Sequence, residues 1–356
     1  MIYKYNIIEK LCEYQRILIT FSLILFLSFS YIFHAFSEEI RSNVLASQAK
    51  HGIDKETVSE VTPREKWLEE KTDSGIYGLR GMDSGQGIHN RHKTRWVANY
   101  FEIKKTNFLL SNFSPKLAFA IYCLFFSLLI SVSYVFCLFS FEHISKKKDI
   151  KCALLFSSAF IFYLHPLFFG IQEFFSFHEM FVISACIFFT LKKKIWFFLL
   201  FAILGILNRE TGLLLITFYT FINFKEKLYF LPIFILPSIY IFINYDIFTQ
   251  SSFYSIGNWL SPYDSSVSDT ARNYSIFNYF GLQYFYSLLR IFIYLLPTLI
   301  LLFYSKLDKN LKIFLLILSL YICSLLLGTL ITNFFPFIIL LPTLLAINSF
   351  CFTTNN

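Results

Sequence analysis

Two adjacent carboxylates, Glu38 and Glu39, stand at the end of an apolar run, Ile17–Phe36. At a membrane face either could act as a general base or hold a metal, since a carboxylate takes a proton only from within hydrogen-bond reach. The plainer reading is a polar cap that ends a span. A second group, Asp83, His89, Arg91, His92 and Arg95, includes and follows a segment with four glycines between Gly78 and Gly87. Guanidinium groups grip phosphates bidentately and stabilise charge on a departing phosphate. The same residues would also serve as a basic patch against lipid headgroups. His89 and His92 are three apart and no HExxH occurs, so no metal site is assigned, and a divalent ion enters only as an open alternative. In a third group, Arg209-Glu210 interrupts two apolar half-segments. Such a pair is costly in hydrocarbon unless it is paired or faces a wet cavity. It is read either as a self-neutralising turn or as the lining of a cavity, with Arg209 on a phosphate and Glu210 orienting it. Glu173 and His178, with His165 and Glu179 nearby, border another turn. Arg290 lies within an apolar run, where an arginine is expensive.

The elements that position these groups are read from hydropathy. Of 356 residues, 56% are hydrophobic and only 15% are charged, against roughly 25% in a soluble domain. Apolar runs of about 20 residues cross the ~30 Å hydrocarbon core as helices. The expected fold is all-α, a polytopic helical membrane protein with about ten segments. These are Ile17–Phe36, Leu117–Phe141, Cys152–Ile171, Phe177–Leu191, the half-length pair Ile195–Leu207 and Gly212–Phe224, Leu228–Phe248, Leu282–Tyr304, Leu311–Ile331 and Pro336–Phe352. The organisation is then an N-terminal segment 1–16, an uncleaved first span 17–36, a long loop 37–114, and a multi-span domain 115–356 containing the loop 249–278.

If the spans alternate, Lys and Arg of the N-terminal segment and of the short connections at 146–151, 192–194, 225–227 and 306–312 share one side. By the positive-inside rule that side is cytoplasmic, both termini lie there, and the loops 37–114 and 249–278 face outward. The net charge of +8 then follows from topology and implies no nucleic-acid partner. None of the seven cysteines lies in the long polar stretch and no pair has CxxC spacing, so they read as apolar filling. Within the stretch, Lys50–Lys71 reads as helix, with Thr62-Pro63-Arg64-Glu65 as a helix start and Trp67-Leu68 as its apolar edge. Arg95–Ile103 reads as an amphipathic helix at the membrane surface.

This arrangement resembles the GT-C superfamily of integral membrane glycosyltransferases. Three features carry the likeness: Phe36-Ser37-Glu38-Glu39 opening the first outer loop, the basic run Arg91-His92-Lys93-Thr94-Arg95-Trp96, and Asn208-Arg209-Glu210-Thr211-Gly212 after a basic turn and a short span. It covers about the first 225 residues. The sequence departs from the pattern in its Glu-Glu pair, in lacking an Asp-x-Asp at the second outer turn, and in lacking a soluble C-terminal domain. The resemblance implies a bacterial inner-membrane enzyme that moves a sugar from a polyprenyl-phosphate donor to a surface glycan or lipid acceptor. Glu38 or Glu39 would activate the acceptor, and Arg91, Arg95 and Arg209, with His92 beside them, would hold the phosphate. The alternatives are a non-enzymatic transporter or flippase of a lipid-linked saccharide, and an assembly protein without a ligand.

Overall fold

The computed structural model describes residues 2–51, 63–69, 101–145, 150–161 without 152, 155 and 159, 174–208, and 212–243 without 214 and 224. Among these residues every regular element is helical and none is a strand. The helices are α1 (Ile2–His51), α2 (63–69), α3 (Ile103–Asn112), α4 (Pro115–Ser145), α5 (150–161), α6 (Phe174–Leu191), α7 (Ile195–Asn208), α8 (Leu215–Ile222) and α9 (Leu231–Ile243). The last three expected spans and the loop 249–278 lie outside the described residues.

Among the described residues, two helices are long and apolar enough to cross a membrane: Tyr14–Ala46 of α1, with 33 residues, and Pro115–His143 of α4, with 29. At about 1.5 Å per residue, each exceeds a ~30 Å hydrocarbon core. α1 does not stop at Phe36. It continues through Glu38-Glu39 to His51, so the start of the expected loop is a further stretch of the first helix. Neither glycine nor proline occurs before Gly52, so nothing earlier breaks the helix.

One stripe of α1 is buried, and it recurs at every fourth residue: Arg16, Thr20, Ile24, Ser28, Ile32, Phe36 and Ile40. This is the ridge formed by residues four apart, the commonest contact surface between packed helices. It lies against α4, which α6 flanks in turn. Arg16 meets Glu142 and Phe33 meets Phe119, so α1 and α4 are antiparallel. Phe126 meets Phe177 and Phe136 meets Phe188, so α4 and α6 are parallel, while α5 packs antiparallel on α4 with Phe156 on Phe141 and Phe160 on Tyr134. α4 can bury serines because their hydroxyls donate to carbonyls one turn back, as Ser127 does to Cys123 and Ser131 to Ser127.

Local signals set the helix ends. Pro115 opens α4 at the first-turn position, where its missing N–H costs nothing. α6 closes with Lys193 at φ 55°, while the amide of Lys194 donates to Phe189 O at 2.9 Å and that of Lys193 to Thr190 O at 3.1 Å. α7 then runs back along α6, with Phe181 and Phe189 both on Phe201. Ahead of α8, the backbone of Gly212 lies directly against that of α7. A Cβ on Gly212 would stand 2.4 Å from Ile206 N and 2.5 Å from Gly205 C, so only glycine fits there.

The bundle therefore has two distinct ends. One gathers Arg16, Glu142, His143, Lys192–Lys194 and the turn at 225–230, with Lys193 Nζ 2.8 Å from Glu226. The other gathers Phe36, α2, α3, the start of α4, the start of α6 and the α7–α8 turn.

Candidate functional site

The second end begins with α2. Pro63 is its first described helical residue, and Trp67 and Leu68 are its buried face. Trp67 packs on Phe36 of α1 at 4.9 Å and on Phe119 and Tyr122 of α4 at 5.6 and 6.1 Å between centroids. The Arg64 guanidinium lies 5.6 Å over the Phe119 ring. Tyr122 is shared with a second, polar cluster.

That cluster is built on α3 and the helical turn just before it. Glu102 and Lys105 are three apart, so they share one helix face. Their charges meet, with Lys105 Nζ 2.6 Å from Glu102 Oε2. Glu102 stands at the start of α3 but does not cap it with its side chain. It reaches across to α6 instead, where Oε1 lies 2.9 Å from His178 Nε2. Glu102 is 1% exposed and the Lys105 side chain 12%. A buried carboxylate needs such partners, since an unpaired buried charge is expensive.

Aromatic rings wall the cluster. Lys105 Nζ lies 3.9 Å from the Phe125 centroid, 4.5 Å from Phe126, 4.6 Å from Tyr122 and 5.9 Å from Phe101. Their negative faces stabilise the ammonium. The His178 ring stands among Phe101, Phe125 and Phe126 at 6.1, 5.9 and 6.2 Å.

α3 lies outside the two long apolar helices, and its charges can be followed by titration. Burial pushes the Glu102 carboxyl up, but the Lys105 charge and the hydrogen bond from His178 outweigh it, so the net direction is down. Burial drives the Lys105 ammonium down to about 8 even though Glu102 opposes that shift. Glu102 is thus held as the anion, and Lys105 gives up its proton within reach of ordinary pH.

The two first-loop acids are not equivalent. Glu38 is 54% exposed and pairs loosely with Arg41 at 3.7 Å on the outer side of α1. Glu39 is half-buried, one turn from Phe36, and its charge acts on the Tyr122 hydroxyl, as does that of Glu102. Glu179 follows His178 but faces the other way. It lines a small cleft with Val182, Ile183, Gly205, Asn208, Gly212 and Leu215. The start of α6 therefore joins the Glu102–Lys105 cluster to Asn208 and Gly212, at the end of α7 and the approach to α8. Asp83, His89, Arg91, His92, Arg95, Glu173, Arg209, Glu210 and Arg290 lie outside the described residues. Among the described residues, no three His, Cys, Asp or Glu side chains gather closely enough to hold a metal ion.

Sequence reasoning named His178 but passed over Glu102 and Lys105. A signal was present, because Lys105 stands four residues before Leu109, on the helix face that Leu109 buries. It also passed over Arg16 and Glu142, whose guanidinium and carboxylate meet at 3.0 and 3.2 Å with each side chain 4% exposed. In comparisons with known proteins, the chain matches no family model, no curated protein and no solved structure.

Proposed function

We propose that the chain is a GT-C-like membrane glycosyltransferase that moves a sugar from a polyprenyl-phosphate donor to a glycan or lipid acceptor outside the cytoplasm. A bilayer setting is supported by large apolar side chains that point outward from several helices, including Phe26 on α1, Leu117 on α4, Trp196 on α7 and Phe242 on α9. The positive-inside rule puts the Lys192–Lys194 end in the cytoplasm in this reading, and the GT-C resemblance implies a bacterial inner membrane.

The observation that carries the reading is convergence. Glu39, Glu102, Lys105, His178 and Glu179 gather at the end of the bundle where the α7–α8 turn brings the flanks of Arg209-Glu210. A transfer from a lipid phosphate needs acids for the acceptor and cations for the phosphate at one membrane face. Of the two first-loop acids, Glu39 is the one that faces this cluster. Arg91, His92, Arg95 and Arg209 are the proposed phosphate ligands.

The test is sugar transfer by the purified full chain in detergent, across a panel of synthetic polyprenyl-phosphate hexoses and pentoses with octyl glycosides as acceptors. The expected result is transfer from at least one donor that falls about 10-fold or more in Glu39→Gln. No transfer from any donor would overturn the reading. The rival, a transporter of a lipid-linked saccharide, is favoured by one observation: α7 and α8 have only 14 and 8 residues, too short for full spans and similar to a transporter's broken helices.

A further inference from the structure

We propose that His178, oriented by Glu102, is the general base that takes the proton of the acceptor hydroxyl, and that Lys105 positions this pair by holding Glu102 ionised. The inference rests on the transferase reading and assigns its proton-accepting step.

The polar contacts run outward from Lys105. Its ammonium is ion-paired with Glu102 Oε2 at 2.6 Å, and a carboxylate held ionised in this way can only accept. Oε1 faces His178 Nε2 at 2.9 Å, so Nε2 carries a hydrogen and donates. In the neutral ring the lone pair is then on Nδ1. This is the logic of a base held in one tautomer by a third group, in which the carboxylate also stabilises the imidazolium that forms. Glu102 is too deeply buried to meet a substrate itself, whereas the His178 side chain keeps 11% of its surface open. The rings of Phe101, Phe125 and Phe126 restrict the imidazole's orientation. Glu38 lacks any such support, since its partner is an exposed arginine on its own helix. Glu39 is left to bind and orient the acceptor.

In the step itself, the acceptor oxygen bonds to the anomeric carbon. The bond from that carbon to the phosphate oxygen breaks, and its electron pair leaves with the polyprenyl phosphate. The acceptor's proton passes to His178 Nδ1, and the imidazolium later releases it to water.

Two measurements on the full chain test this. The first is transfer with the same donors and octyl glycosides. In His178→Ala, kcat should fall about 100-fold or more with the donor KM unchanged, the acidic limb of the pH profile should vanish, and added imidazole should restore part of the rate. Glu102→Gln should lower kcat and shift that limb. The second is nitrogen NMR of the histidine-labelled protein, with the His178 signals assigned by their loss in His178→Gln. It should show the Nε2–H tautomer in the wild type, and a loss of that preference in Glu102→Gln. Transfer by His178→Ala at the wild-type rate and pH profile, or an Nδ1–H tautomer in the wild type, would overturn the base assignment and leave the transferase reading standing. No transfer by the wild type from any donor would overturn both.

Discussion

Each end of α4 buries an ion pair, and the two are built on different cations. At one end Arg16 of α1 meets Glu142 of α4, both 4% exposed. At the other, Lys105 meets Glu102 and the pair extends to His178. A guanidinium stays charged at any accessible pH, so Arg16–Glu142 has one state and can serve only as a fixed clamp between helices. A buried lysine can lose its proton, and Lys105 does so at about 8. In the proposed reading the difference separates a structural end from a reactive one, since perturbed groups gathered at one place make a candidate functional site.

Breaking the clamp is expected to have the largest effect. Glu142→Gln strands the Arg16 charge and should cost about 3–5 kcal/mol of stability in detergent unfolding, while the double change Arg16→Met with Glu142→Met should recover most of it. If Glu142→Gln were silent, the fixed-clamp half of the comparison would fail. Gly212→Ala comes next, because its Cβ meets backbone and not a movable side chain; it should cost about 1–3 kcal/mol or more and disturb the contact with α7. Glu102→Gln should cost less than Glu142→Gln, about 1–3 kcal/mol, since Lys105 can shed its charge when its partner is lost.

The pH dependence sharpens the same contrast. The folded-state pKa of Lys105 lies below its ordinary value of 10.5, so between about 8 and 10.5 the unfolded chain binds more protons than the folded one. Stability therefore rises with pH across that window, and a titration of unfolding should show the rise vanish in Lys105→Met. For Glu102, whose pKa is lowered, the contribution is present above the ordinary carboxylate value of 4.5 and is lost as pH falls below it. The smallest effect is expected at Lys193, at the clamp end. Lys193→Gly relieves a left-handed backbone worth about 1 kcal/mol, and loses an exposed pair with Glu226 worth about 0.2–1 kcal/mol. Net stability should stay within about 0.5 kcal/mol of wild type.

The helical elements were legible because hydropathy is a local signal. Leu117–Phe141 anticipates α4, Phe177–Leu191 falls within α6, and Ile195–Leu207 gives α7 to within one residue. The apolar edge Trp67-Leu68 was legible for the same reason. The end of α1 is not legible in the change from apolar to polar residues at Phe36, because the helix continues there to His51 while only the surroundings change. The Glu102–Lys105–His178 cluster could not be assembled from spacing, since Glu102 and His178 are 76 residues apart in sequence. What joins them is the parallel packing of α4 and α6, a property of topology. Arg16 and Glu142 were hidden likewise, each reading as an ordinary flank of an apolar run.

The most direct test of the contrast between the two ends is to measure sugar transfer and unfolding side by side in Glu102→Gln and in the Arg16→Met with Glu142→Met double variant. The account predicts that Glu102→Gln folds but loses most of its turnover, while the double variant keeps its turnover. A Glu102→Gln protein that transfers sugar at the wild-type rate, beside a double variant that folds but is inactive, would place the chemistry at the wrong end and contradict it.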